Sequence, residues 1–163
     1  EIAKILRDYG EERFAWRIAK AIVSARPLSD TAELAGVIAN AVPAATRRRK
    51  HPARRSFQAI RIAVNGELAA LRTGLDAALA ALRPGGCAVV ISYHSLEDRI
   101  VKRRFAQGSA DCTCPPDLPV CVCGTVASLR RLTRKALRPT QHEIENNPRA
   151  RSAVLRAVEK VAS

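Results

Sequence analysis

An α/β fold is what the 163-residue sequence predicts, and three patterns carry that reading. Apolar residues step by threes and fours through Phe57, Ile60, Val64, Leu68, Leu71, Leu75, Leu79 and Leu82. Residues 87–92 (CAVVIS) then run continuously apolar and β-branched, and residues 152–161 (SAVLRAVEKV) partly alternate. A helix that feeds a turn and then a short apolar strand is half of a βαβ unit, so strand 87–92 is expected to be buried and parallel to its neighbours. With 47% of its residues hydrophobic, the chain can bury a core of its own and is no disordered tail.

In chain order, residues 2–8 form a short helical stretch that Gly10 breaks from the next. Residues 11–25 read as a helix with Phe14, Ile18 and Ile22 on one face, stopped by Pro27. Ser29 or Asp30 caps a further helix, because Glu33 stands three residues after Asp30 in capping-box position and Leu34, Val37, Ile38 and Ala41 supply an apolar stripe. Pro43 ends it. Residues 44–56 form a basic loop, and the periodic run from Phe57 onward is one long helix ending in the turn Arg83-Pro84-Gly85-Gly86. After strand 87–92 comes a helix to about Phe105, then a loop over residues 107–138 that holds four cysteines. Residues 152–161 fit a strand or a helix, and their partial alternation favours a final strand.

Charge points to the partner. Lys and Arg number 28 against 15 acids, a formal +13, and the excess is clustered. Between Glu33 and Glu67 there is no acid, yet Arg47, Arg48, Arg49, Lys50, Arg54, Arg55 and Arg61 fall there. A second acid-free stretch, between Asp117 and Glu143, holds Arg130, Arg131, Arg134, Lys135 and Arg138. Two separate patches suit a curved polyanion such as folded RNA, whose phosphates are gripped by arginine forks with release of counterions. A membrane surface fits worse, since no amphipathic helix carries the first patch and no apolar run reaches the ~20 residues of a span. No signal peptide opens the chain, so a cytoplasmic location is expected.

At the carboxyl end of strand 87–92, where open α/β sheets place ligands, stands His94-Ser95-Leu96-Glu97-Asp98-Arg99. It offers a base, a hydroxyl, two carboxylates and a guanidinium to a small active site. Position alone supports equally a structural role in which Ser95 caps the following helix and Glu97 and Asp98 sit at its positive end, paired with Arg99 or Lys102.

Four segments in fixed order carry a family likeness: Gly10-Glu11-Glu12; the run from His51-Pro52-Ala53 through Phe57-Gln58-Ala59-Ile60-Arg61-Ile62, Val64-Asn65 and Glu67-Leu68; His94 to Arg99; and Asn147-Pro148-Arg149-Ala150-Arg151-Ser152-Ala153. Together they span nearly the whole chain and resemble the MraW family. The resemblance implies part of a class I, Rossmann-like methyltransferase fold with a helical insertion domain. It also implies transfer of a methyl group from S-adenosyl-L-methionine to N4 of a cytosine in the decoding region of 16S rRNA. By the same likeness residues 1–53 match the insertion, a substrate-recognition region, and residues 54–163 match the return to the methyltransferase domain.

His94 and Glu97 are then the pocket residues, with Asn65, Ser95, Asp98 and Arg99 in support, and the first basic cluster, Arg47 to Lys50 with Arg54, Arg55 and Arg61, is the RNA contact. Tyr93 stands where the family usually has Phe, and Arg54-Arg55 where Thr-Arg is more usual. The family's glycine-rich donor turn, its acid after the second strand and a later Asp-containing segment all precede the part that matches Glu1. Gly85-Gly86 follows a helix rather than a strand and is a turn, not a donor loop. The expected partners are therefore 16S rRNA in the small ribosomal subunit and the N-terminal half of the same protein, with a homo-oligomer left open.

Of the cysteines, Cys87 lies in the apolar strand and is expected to be an inert core thiol. Cys112, Cys114, Cys121 and Cys123 form two C-x-C pairs. Four thiolates suit a tetrahedral zinc ion, but the tight spacing and Pro115, Pro116 and Pro119 favour reduced, unligated thiols. Two other readings compete with the enzyme: a non-catalytic RNA-binding or structural piece derived from it, and a basic zinc-ribbon protein organised by the cysteine loop. The last is disfavoured because the apolar periodicity lies elsewhere.

Overall fold

The computed structural model describes residues 1–44, 51–112, 114 and 123–162, and divides the chain into two compact units, Glu1–Glu67 and Leu68–Ser163.

The first unit is helical: α1 (Ile2–Gly10), α2 (Ala15–Ser24), α3 (Thr31–Ala41) and α4 (Arg54–Asn65). Leu6, Ile18, Ile38 and Ala59 are fully buried at its centre; Ile18, Ile22, Ile38 and Ala41 of the predicted stripes lie inside, whereas α4 buries Ser56, Ala59 and Ile62 rather than the expected Phe57, Ile60 and Val64. Gly10 does more than break a helix. A Cβ there would lie 2.9 Å from the Arg55 carbonyl oxygen and 3.2 Å from the Ala59 Cβ, so its bare Cα lets α1 approach α4. Glu11 follows in the left-handed region (φ 46°), which turns the chain, and a Glu12 carboxylate oxygen accepts the Phe14 amide at 3.2 Å. At α3 Asp30 is the cap: its carboxylate accepts the Glu33 amide at 2.7 Å, and Glu33 in return accepts the Ser29 amide at 2.8 Å.

The second unit is a small sheet covered by helices: α5 (Glu67–Ala81), β1 (Cys87–Ser92), α6 (Ser95–Gly108), β2 (Leu129–Arg131), α7 (Gln141–Asn146), a 3-10 turn (Pro148–Ser152) and β3 (Val154–Lys160). The strand order is β1-β3-β2 and both pairings are antiparallel, with Val90 opposite Arg156 and Arg130 opposite Glu159. Leu75, Leu79, Ile100, Val101, Phe105, Leu129 and Val158 form its core, with Ala88 and Val90 packed against them.

Four expectations need correction. The long helix is two helices, because Gly66 adopts φ 61° and its amide closes on the Ile62 carbonyl, which caps α4; Val64, the residue that bridged the two periodic runs, is 78% exposed. The strand at 87–92 is antiparallel to β3, not parallel. It is buried on one face only: Val89 and Ile91 are 59% and 52% exposed, and Cys87 is an exposed thiol rather than a core one. The loop over 107–138 contains β2, too short to leave a periodic signal. The final strand, by contrast, forms at Val154–Lys160 inside its predicted span.

Candidate functional site

The turn from β1 into α6 is built by its own side chains. His94 has extended backbone (φ −140°, ψ 162°) and caps α6: its Nδ1 accepts the Glu97 amide at 3.4 Å. Glu97 Oε2 accepts the Tyr93 and His94 amides at 2.9 and 3.2 Å, completing a capping box in which histidine takes the place usually held by Ser, Thr or Asp. The expected cap, Ser95, is instead the first exposed residue of the helix.

This geometry fixes the chemistry open to the pair. With Nδ1 accepting an amide, the neutral ring carries its proton on Nε2. Nε2 is buried and lies 3.2 Å from Glu97 Oε1 without an aligned hydrogen bond. Glu97 in turn has one carboxylate oxygen committed to two backbone amides.

Asp98 pairs with neither Arg99 nor Lys102 but with Arg156 of β3, through a two-pronged contact of 2.7 and 2.9 Å. The hydrogen bond from Arg156 holds the Asp98 carboxyl below the usual carboxylate range; burial opposes it, and the charges of Arg156, Arg138 and Lys102 reinforce it. The same bond raises Arg156 above its ordinary value. Sequence reasoning missed Arg156, whose partner lies 58 residues away on another element. Arg99 is exposed on α6.

Asn65 and Arg61 belong to the other unit and converge on one acid. Arg61 contacts both Glu67 oxygens at 2.8 and 3.0 Å, and Asn65 Nδ2 donates to Glu67 Oε1 at 3.2 Å, which braces the chain around Gly66. Arg54 and Arg55 are exposed at the start of α4, with Arg55 donating to the Glu11 carbonyl at 3.3 Å. Arg47, Arg48, Arg49 and Lys50 lie outside the described residues. In the second patch Arg130 pairs with Glu159 across the sheet at 2.6 Å, while Arg131, Arg134, Lys135 and Arg138 are exposed. A cleft of about 670 Å³ beside α6, lined by Arg72, Arg103, Arg104 and Gln107, adds basic surface that the sequence reading did not single out; Arg104 is paired with Asp76 across it.

Asn147-Pro148-Arg149 also has a local explanation. The Asn147 side chain accepts the Arg149 amide at 3.2 Å with Pro148 at the first position of the 3-10 turn, and buried Ala150 anchors that turn before β3. Gly85-Gly86 is a turn as expected: Gly85 has φ 80°, and its amide bonds the Lys160 carbonyl at 2.8 Å. No described helix is long and apolar enough to cross a membrane. Cys112, Cys114 and Cys123 bring their sulfurs together, whereas Cys121 lies outside the described residues.

Comparison with known proteins places these observations. A family-wide sequence profile described as the MraW methylase family matches residues 1–161. A protein of Symbiobacterium thermophilum named ribosomal RNA small subunit methyltransferase H is 58% identical over 99% of the chain and 52% of its own length. Proteins of the same name from Anaeromyxobacter sp. strain K and Heliobacterium modesticaldum are each 57% identical over 99% of the chain and 53% of theirs. The chain thus spans about half the length of the curated relatives it matches.

Proposed function

The chain belongs to the MraW methylase family, and on that premise we propose that it is the RNA-facing part of an S-adenosyl-L-methionine-dependent enzyme that methylates N4 of a cytosine in the decoding region of 16S rRNA. The observation that carries this is the match over residues 1–161 to relatives named for small-subunit rRNA methylation. The exposed cations Arg54, Arg55, Arg131, Arg134, Lys135 and Arg138 support a phosphate-rich partner. Small ribosomal subunits place the work in the cytoplasm.

In the reaction the methyl–sulfur bond breaks as the nitrogen–methyl bond forms, and the amine proton leaves to an acceptor. Among the described residues no glycine-rich turn joins a strand to a helix to seat the donor: β1 passes into α6 through Tyr93-His94. Its contribution is on the substrate side, in a Rossmann-like domain completed by the rest of the protein. His94 and Glu97 form the rim of the base pocket and hold the strand-to-helix turn rigid, because His94 Nδ1 and Glu97 Oε2 accept backbone amides. Residues 1–53 serve substrate recognition, and α4 belongs structurally with them, since their compact unit runs to Glu67.

The test is reconstitution. The chain is co-expressed with the remaining half of the protein and incubated with labelled S-adenosyl-L-methionine and 30S subunits, and the rRNA is digested to nucleosides. N4-methylcytidine from the complemented sample, with neither transfer nor micromolar donor binding by the chain alone, is the expected result. Label in another nucleoside, or transfer by the chain alone, contradicts it.

A further inference from the structure

We propose that Cys112, Cys114 and Cys123 hold one zinc ion that fastens the loop between α6 and β2. The inference does not depend on the methyltransferase reading. The three sulfurs lie within 4.8 Å of one another, and those of Cys112 and Cys123 are 3.8 Å apart. A tetrahedral zinc with Zn–S bonds of about 2.3 Å sets its sulfurs about 3.8 Å apart, so this pair already stands at ligand separation. The Cys114 amide points at the Cys112 sulfur at 3.4 Å. Tight C-x-C spacing, which weighed against a metal in the sequence, is no obstacle once both its sulfurs converge with a third from across the loop.

The surroundings suit a structural ion. The loop is closed at its neck, where the Ser128 amide donates to the Gly108 carbonyl at 2.9 Å and the Leu129 side chain packs on Gly108. Beyond that neck the described residues form no helix or strand before β2, so a cross-link at Cys112, Cys114 and Cys123 fixes a segment that regular hydrogen bonding does not. Thiolates select zinc over magnesium or calcium. Binding converts three thiols to three thiolates with release of three protons, leaving a site of net charge −1 and one coordination position for a further ligand.

The protein, purified under reducing conditions without chelator, should contain close to one zinc per chain by elemental analysis. After stripping, titration with cobalt(II) should give thiolate-to-cobalt charge-transfer absorption and the intense visible bands of tetrahedral cobalt. C112S and C123S should lose stoichiometric metal, whereas C87S, whose thiol lies on β1, should keep it. Acidification should release the ion, since protons compete for the thiolates. Because cobalt is read on the unaltered protein, a misfolded variant cannot mask the outcome. No charge-transfer band from the reduced wild-type chain overturns the proposal, as does an unchanged band in the C112S/C123S double variant.

Discussion

The two compact units differ in how their order is specified. In Glu1–Glu67 three helix ends are set by signals carried by neighbours in sequence: the Asp30–Glu33 box at the start of α3, Gly10 with left-handed Glu11 at the end of α1, and Gly66 at the end of α4. In Leu68–Ser163 the decisive contacts join residues far apart in the chain: Asp98 with Arg156, Arg130 with Glu159, and Val90 opposite Arg156. The helical unit adds to these local signals a seam in which Gly10 of α1 meets Arg55 and Ala59 of α4, whereas the sheet unit depends on β3 arriving between β1 and β2.

The sharpest way to separate the units is to damage one core. Phe105→Ala should cost about 3–5 kcal/mol, because the ring is buried among Leu75, Leu79 and Val101 and its removal leaves a cavity. Hydrogen exchange should then show lost protection in α6 and β3 with α1 and α4 still protected. Equal loss in all four helices and strands would mean that the division is not a division in stability.

The Asp98–Arg156 pair tests the long-range tie. Asp98→Asn should cost about 1–3 kcal/mol as a charge-assisted two-pronged bond is weakened. The sign with pH follows from the lowered Asp98 carboxyl: its folded value lies below its unfolded one, so the stabilisation is present above the ordinary carboxylate range and disappears as pH falls through the folded value. Chemical denaturation below about pH 4 should therefore show a steeper loss for the wild type than for D98N. Parallel curves would count against the pair as a source of acid sensitivity.

These contrasts explain what the sequence disclosed. Asp30 and Glu33 declared their box because both partners sit within one turn. The strand at 87–92 declared its existence, but not its direction or its bare face, because CAVVIS is apolar on both sides and alternation is the signal that distinguishes a half-covered strand. The periodic run continued across Gly66 because Val64 kept the spacing while pointing to solvent. His94 was legible as a residue of interest and not as a cap, since histidine is an uncommon member of a capping box. Arg156 was invisible because its partner is on another element.

A smaller effect distinguishes the capping role of His94 from a pocket role. His94→Ala should cost about 1 kcal/mol through loss of the cap, and His94→Asp should restore most of it, since Asp is among the strongest N-cap residues. Thermal unfolding of the two variants gives the structural share. If His94 also meets the substrate base, the Asp variant recovers stability while methyl transfer by the complemented protein stays low; joint recovery of both would assign His94 to the cap alone.

The smallest expected change in stability, and the one most specific to RNA, concerns the basic run at Arg47, Arg48 and Arg49. If the three arginines serve RNA rather than the fold, Arg→Ala at all three positions should change unfolding by no more than about 0.5 kcal/mol. Binding should respond differently. Arg61 spends its guanidinium on Glu67, and Arg55 donates to the Glu11 carbonyl, so the phosphate-facing share of the first patch shifts toward the run that precedes α4. Each arginine that meets a phosphate contributes about 0.7 to 0.9 to the slope of log affinity against log salt. The triple variant should lower that slope by about 2 to 3, and weaken binding uniformly across RNA sequences, because phosphate contacts carry no base information. Filter binding of 16S rRNA fragments over a range of potassium chloride concentrations measures both quantities. An unchanged slope with full stability places the run away from the RNA and leaves the exposed cations Arg131, Arg134, Lys135 and Arg138 of the sheet unit as its principal contact.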